Sequence, residues 1–435
     1  MRPVTGSGDV IVTDCHAGPG QQGPMIVDGE GQLVWFKPLS DAESPSRRAF
    51  NVRVQSYRGE PVLTWWQGAV VGAHGVGHYE LYDSRYRLIG RVYAGNGYQG
   101  DLHEFVLTDA GTALFTCYGQ AIGKLPRGSG EGGSRGQYLY GVVQEVDVAT
   151  GAVLFQWRSD DHIGFEESYH RPPSDPAVAW DYFHVNSIAV DPTDGHLLIS
   201  GRNTWTCYKV DRQTGEVIWR LGGKHSDFAM AAGTRFAFQH HVTRRADGIV
   251  TIFDNEAGPP REAGQSRGLV VAIDEQSRQV SLVRQYLHEP AVLSPALGSV
   301  QQLDHGSFIG WGDSSYFTQY DDAGAVLLDA HLAPGTLSYR AFESAWAGRP
   351  ATEPTIAVIP TASGSNLYAS WNGATEHTRW RVLGGQHPER LDELSTERVA
   401  GFETQIELER PPAWLAVEAL DSEGRTVGRS TAQPR

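Results

Sequence analysis

The stretch Phe183–Gly223, FHVNSIAVDPTDGHLLISGRNTWTCYKVDRQTGEVIWRLGG, decides the fold. It opens on a polar cluster, His184-Val185-Asn186-Ser187, and runs into an apolar segment, Ile188 to Val190. The turn Asp191-Pro192-Thr193-Asp194-Gly195 follows, then apolar runs at 197–201 and 208–210, the turn Asp211-Arg212-Gln213-Thr214-Gly215, and a last run at 217–221. Asp-Gly and Thr-Gly turns between alternating apolar residues are strong hairpin signals. Four short antiparallel strands within about forty residues predict one blade of a β-propeller.

Working outward, the same pattern recurs. Residues 9–38, 50–93 and 102–158 alternate strand-like runs with turns such as Asp28-Gly29-Glu30-Gly31, Asp109-Ala110-Gly111 and Ala149-Thr150-Gly151. Residues 238–288 and 298–332 do so again around Ala246-Asp247-Gly248, Asp304-His305-Gly306 and Asp322-Ala323-Gly324. Six such units without helical periodicity predict an all-β, six-bladed β-propeller over 1–345; a pair of β-sandwiches would not repeat the same turn chemistry six times. Two interruptions, 119–137 and 159–181, are long enough to be loops that cover a site. After Pro350 the runs lengthen, around Trp371 and Trp380, and predict a second domain at 350–435, an immunoglobulin-like or fibronectin-like β-sandwich. No residue in it is a candidate for chemistry, so it is expected to brace the propeller or to mediate a homo-oligomer.

Composition narrows the partners. A formal net charge of -15 argues against nucleic acid and anionic membrane. The three cysteines, Cys15, Cys117 and Cys207, form no CxxC pair and suggest neither a zinc site nor a disulfide framework. The first residues, MRPVTGSGDVIVTD, lack the apolar core of a signal peptide, and a soluble, cytoplasmic protein is expected.

Three units begin with histidine: Asp101-Leu102-His103-Glu104, Phe183-His184-Val185-Asn186 and Phe238-Gln239-His240-His241. In a propeller the first strand of each blade lines the central channel, so His103, His184 and His240 are expected to converge there, with Arg202 beside them. Glu104 neighbours His103 on a strand and points the other way, and Arg202 would repel a cation, so no metal is expected. Three imidazoles with Arg202 and Asn186 suit an anion better. Alternatively, one histidine is a nucleophile and another a general acid or base. On the predicted lid loops, Tyr169, Trp180 and Arg135 could stack on an aromatic substrate or pair with its anion.

At these residues the sequence resembles the arylsulfotransferase family, in its actinobacterial and fungal branch. The resembling segments include Gly95-Asn-Gly-Tyr-Gln-Gly-Asp-Leu-His-Glu-Phe, His184-Val-Asn-Ser-Ile, Leu198-Ile-Ser-Gly-Arg-Asn, Ile218-Trp-Arg-Leu-Gly-Gly-Lys, Phe236-Ala-Phe-Gln-His, Phe253-Asp-Asn and Trp371-Asn-Gly-Ala-Thr-Glu. The resemblance implies a six-bladed propeller that moves a sulfuryl group between small aromatic phenols, without the nucleotide donor PAPS and without a cofactor. It implies His240 as the histidine that is transiently sulfated, and His184, Asn186, Arg202 and His103 as the groups that hold the sulfate. Where this branch usually has Asp after Gln-His, the chain has His241, which on a strand should face away from the channel but could replace His240 if a bulge shifts the register. The alternatives are a cyclase, lyase or isomerase of natural-product biosynthesis using the same histidines for acid/base chemistry, and a non-catalytic binding propeller.

Overall fold

Asp-centred turns set the frame. Asp191 Oδ1 accepts from the Thr193 backbone N–H at 3.0 Å, and Asp211 Oδ1 from Gln213 and Thr214 at 2.8 and 2.9 Å. Each turn closes on a glycine at positive φ, Gly195 (78°) and Gly215 (79°), where a side chain would be strained. Between such turns the Leu197–Gly201 and Thr206–Val210 strands are buried at every position. The structure, a computed structural model, describes residues 9–18, 20–39, 47–127, 130–175, 177–258 and 264–435.

Nearly all of the regular structure is β. The opening stretch forms a four-stranded antiparallel sheet of Val185–Val190, Leu197–Gly201, Thr206–Val210 and Val217–Gly222, in chain order. Ser299–Leu303, Gly306–Gly310, Tyr316–Tyr320 and Val326–His331 repeat that order, as do His240–Arg244, Ile249–Asp254, Arg267–Asp274 and Gln279–Leu287 with a short extra strand. Residues 47–92 and 100–158 supply two further runs of four, joined into one sheet by a single pairing of Gly77 with Gly100. The last group is closed by both ends of the region: Ala341–Ala345 pairs with Asp9–Ala17, which continues to Gly23–Val27 and Leu33–Phe36.

The first strands of these groups meet in the interior. The guanidinium of Arg340, wholly buried, donates to Glu104 at 2.9 and 3.0 Å, to Asn51 Oδ1 at 3.3 Å and to the Asn186 carbonyl at 3.2 Å. One side chain thus ties residues from four groups.

The 119–137 interruption is not a loop: the Thr112–Arg127 and Gly130–Asp147 strands run through it as a long hairpin. Two of its glycines, Gly119 and Gly123, face rings rather than solvent. A Cβ on Gly119 would lie 2.2 Å from the Tyr140 ring, and one on Gly123 2.9 Å from Tyr138, so here glycine marks close approach within a strand. The 159–181 interruption is irregular, with one short helical turn at Ser159–His162 and another at Phe165–Glu167.

Beyond residue 350 two sheets share one core. Thr355–Pro360, Gly364–Ser370 and Glu403–Glu409 form the first. Arg379–His387, Arg390–Arg398, Trp414–Leu420 and Thr426–Arg429 form the second, with Gln433–Pro434 paired to it. Leu367 and Ile406 of one pack with Trp380 and Val417 of the other. This unit is bolted to the first by backbone-like pairing: Asn372 accepts from the Phe36 N–H at 3.0 Å and donates to its carbonyl at 2.9 Å, and Gly373 N–H donates to Val34 at 2.8 Å. Gly373 has φ 96°, and a Cβ there would lie 2.3 Å from the Tyr86 ring, so only glycine fits. No helix among the described residues is long and apolar enough to cross a membrane.

Candidate active site

The strands that carry the three histidines are each irregular at that level. The register shifts between Gly100 and Phe105, between Val185 and Ser187, and between His240 and Thr243. Such bulges turn a side chain out of the ladder and re-aim it. His184 itself sits at φ 56°.

All three imidazoles are then held by the same nitrogen. His103 Nδ1 lies 2.6 Å from Asp101 Oδ2, His184 Nδ1 bonds directly to Asp181 Oδ2, and His240 Nδ1 lies 2.7 Å from Asn255 Oδ1. Each tether fixes Nδ1 as the donor and leaves Nε2 as the nitrogen that can meet a substrate. The tethers differ in charge. Two are carboxylates, which stabilise a protonated ring; the third is a neutral amide. His240 is 1 % exposed, and burial, with Arg202 nearby, pushes its pKa well below the ordinary histidine value. Its ring is neutral at pH 7, and its Nε2 accepts only a long 3.3 Å hydrogen bond from the Leu297 N–H. Burial, then Arg202, likewise depresses His184. Asp101 goes the other way. Burial alone would raise it, but His103 and the Gly75 N–H, among others, hold its carboxyl well below the usual range.

Above the imidazoles opens a cleft of about 880 Å³, lined in part by His74, Tyr118, Asp181, His184, Arg202 and Phe238. The His184 ring lies 4.9 Å from that of His103 and 5.3 Å from that of His74, and His74 packs 4.0 Å from Tyr118. Arg202 lies flat over Phe238 at 4.8 Å, and its buried Nε has no hydrogen-bond partner. Asn186 spends one amide hydrogen on the Gln239 carbonyl at 2.7 Å, and its buried Oδ1 is unpartnered. His103 and His240 are not among the residues that line the cleft. Among the described residues no ring contact joins His240 to the other imidazoles, although its ring feels the charge of Arg202, His103 and His184.

Four residues expected around the substrate lie elsewhere. His241 (φ 47°) faces the opposite side of the bulge, into a separate pocket of about 450 Å³ with Arg53, Glu104 and Thr243; its Nδ1 is 3.1 Å from the Val300 carbonyl. The bulge therefore exists, but it sends His241 away while His240 keeps the tethered position. Trp180 is 1 % exposed, packs on Phe165 and Tyr182, and donates to the His170 carbonyl at 3.2 Å; it is core. Arg135 is exposed on the long hairpin, opposite Lys124. Tyr169 stacks on Trp205 beside a different cavity.

Other residues join the site that were not expected there. Asp101 precedes His103 by two, the spacing that shares a strand face, and that signal was readable. Asn255 lies within the quoted Phe253-Asp-Asn. His74 sits at a hairpin and Asp181 at the end of an irregular segment, and nothing local marks either. His74 Nε2 lies 3.5 Å from Asp181 Oδ2. His74, Asp181 and His184 place ligand atoms within 4.8 Å of one another, a two-imidazole, one-carboxylate set of a kind that can hold a transition metal. In this arrangement His184 Nδ1 is already committed to Asp181, the His74 Nδ1 lacks the hydrogen-bond partner a ligand normally has, and the charge of Arg202 acts on both rings.

Comparison with known proteins gives one decisive result. Residues 53–333 match the family described as Arylsulfotransferase (ASST). No curated protein matches the chain. Among solved structures, a protein of unknown function from Bacteroides caccae is 11 % identical with a TM-score of 0.47, covering 78 % of this chain and 99 % of its own. A putative 6-phosphogluconolactonase from Bacteroides fragilis is 10 % identical with a TM-score of 0.42, covering 79 % and 100 %. The Cps50 (Swd1) β-propeller domain of Myceliophteria thermophila is 10 % identical with a TM-score of 0.38, covering 66 % and 87 %.

Proposed function

Taking as premise that the chain belongs to the arylsulfotransferase family, we propose that it is a PAPS-independent aryl sulfotransferase working through a sulfated His240. The four-stranded groups are read as six propeller blades, with strand Ala341–Ala345 completing the first, and residues 350–435 as an immunoglobulin-like sandwich. The observation that carries the reading is the Asn255 tether. It fixes Nδ1 as the donor and leaves the Nε2 lone pair available on a ring that burial and Arg202 keep neutral, which is the form a nucleophile needs.

In the first half-reaction Nε2 of His240 attacks the sulfur of an aryl sulfate. The S–Nε2 bond forms as the S–O(aryl) bond breaks, and the phenolate leaves, taking a proton from His103. Negative charge on the equatorial oxygens is met by Arg202 and by the remaining amide hydrogen of Asn186. A preorganised donor of this kind is worth about 3–4 kcal/mol. In the second half-reaction the acceptor phenol returns a proton to the same base, its oxygen attacks sulfur, and the S–N bond breaks to regenerate neutral His240. Asp101 steadies the His103 ring that loses and regains the proton.

The test is p-nitrophenyl sulfate. Wild-type protein releases nitrophenol and, without acceptor, gains one sulfuryl group on His240 by peptide mass spectrometry; His240→Ala does neither. A wild-type protein that gains no such mark and releases no nitrophenol sinks the reading. The two Asp–His pairs would then favour acid/base chemistry on a non-sulfated aromatic substrate.

A further inference from the structure

Two quoted segments, Leu221-Gly222-Gly223-Lys224 and Phe236-Ala237, supply nothing to the transfer chemistry, yet they meet. They wall a cavity of about 280 Å³ on the far side of the cleft wall, with Tyr169, Trp205, Phe228 and Met230. Trp205 and Tyr169 are stacked face to face, centroids 3.7 Å apart and planes 7° apart. Trp205 leans at 5.6 Å on Phe238, the ring on which Arg202 lies. An aromatic partition thus separates the cavity from the cleft.

The cavity is held open at a structural cost. Trp205 sits at φ 53°, Phe238 at 57° and Glu256, also on its wall, at 49°. For bulky residues such backbone is an outlier that persists only where surroundings enforce it, and it clusters at binding sites. The Trp205 indole N–H is buried without a partner. Gly222 cannot be replaced without collapse, since a Cβ would lie 2.7 Å from the Phe236 ring and 2.8 Å from the Trp205 carbonyl. Arg235 lines the cavity, and Lys224 reaches over the Tyr169 ring at 4.8 Å and holds the Glu166 and Ser168 carbonyls at 2.9 and 2.6 Å. Aromatic walls with a few polar groups at one end describe a site for a small flat ring with one polar substituent.

We propose that this cavity is a second aryl site, which takes a phenol of one or two rings, ring inward between Trp205 and Phe236 and oxygen toward Arg235. The choice of a phenol rests on the sulfotransferase reading; the binding itself needs no turnover.

The experiment is titration of the full-length protein with 2-naphthol, followed by the emission of the naphthol. Met230→Trp, which fills the cavity, is expected to raise Kd at least tenfold. Tyr169→Ala, which removes half of the stacked pair from a partly exposed position, is expected to raise it several-fold, with circular dichroism spectra matching wild type. Wild-type affinity in both variants, or no binding to wild-type protein up to the solubility limit of the probe, overturns the site. If both variants weaken binding while His240 never acquires a sulfuryl group, the aryl site stands and the transfer reading falls.

Discussion

The two sides of the Gln239-His240-His241 bulge face two polar pockets of opposite character. On the His241 side the charges are ion-paired, although the buried Arg340 Nε and His241 Nε2 have no hydrogen-bond partner. Glu104, 1 % exposed, takes Arg53 at 2.9 Å and Arg340 at 2.9 and 3.0 Å, and Arg212 is clamped on Glu145. On the cleft side, groups are oriented but not satisfied. Arg202 lies on a ring with its Nε unpartnered, and each imidazole is oriented at Nδ1 by its Asp or Asn. The contrast separates stability from chemistry. A buried network whose charges are paired resists change, whereas a cation left without a carboxylate partner is free to meet charge that develops on a substrate.

Breaking the ion-paired side has the largest expected effect. Glu104→Gln leaves the Arg53 and Arg340 guanidiniums without their carboxylate and should cost about 3–5 kcal/mol of unfolding free energy, read from urea denaturation. A loss under about 1 kcal/mol, the range of exposed ion pairs, would show that the network is not what holds this face.

The complementary change is Arg202→Ala. Among the described residues Arg202 holds no ion pair, so the urea midpoint should hold while kcat for nitrophenyl sulfate falls about 10²–10³-fold. Destabilisation on the scale of Glu104→Gln would erase the distinction between the two sides.

Acid sharpens it further. The folded-state pKa of Asp101 is depressed below its unfolded value, so its stabilising contribution is present above about pH 4 and is lost as pH falls toward the folded value. The gap in urea midpoint between wild type and Asp101→Asn should stay constant from pH 5 to 8 and narrow below pH 4. A gap that does not narrow would mean that the carboxylate is not ionised in the fold.

The smallest expected effect is an absence of change. Because burial depresses the His240 pKa, lowering the pH through 6.5 leaves Nε2 unprotonated. The rate at which the sulfuryl mark appears on His240 should differ by no more than about twofold between pH 8 and pH 6. A fall with a midpoint near 6.5 would show an imidazole in ordinary contact with water.

Where the reading of residues fell short, the cause was distance along the chain. The hairpin through 119–137 was hidden because Gly, Ser and Arg there resemble loop chemistry until Tyr138 and Tyr140 are seen to fill the space over Gly123 and Gly119. Trp180 and Tyr169 lie eleven residues apart on one irregular segment, yet one is core and the other caps a cavity. Composition could not separate them, because burial depends on what packs from elsewhere.

The amino-acid sequence by itself determined the strands, their turns and the identity of the three histidines. Alternation and Asp-x-x-x-Gly closure act within a few residues, as the Gly195 N–H to Asp191 carbonyl bond at 2.8 Å shows. Only the tertiary structure decided which nitrogen each histidine presents, that His74 and Asp181 join the cleft, and that His241 leaves it. Those outcomes rest on contacts such as Tyr339 to the His103 carbonyl at 3.1 Å and Asn186 to the Gln239 carbonyl at 2.7 Å, between residues 236 and 53 positions apart. Local propensity does not encode which distant groups will be neighbours; the closing of the sheets around a common centre does.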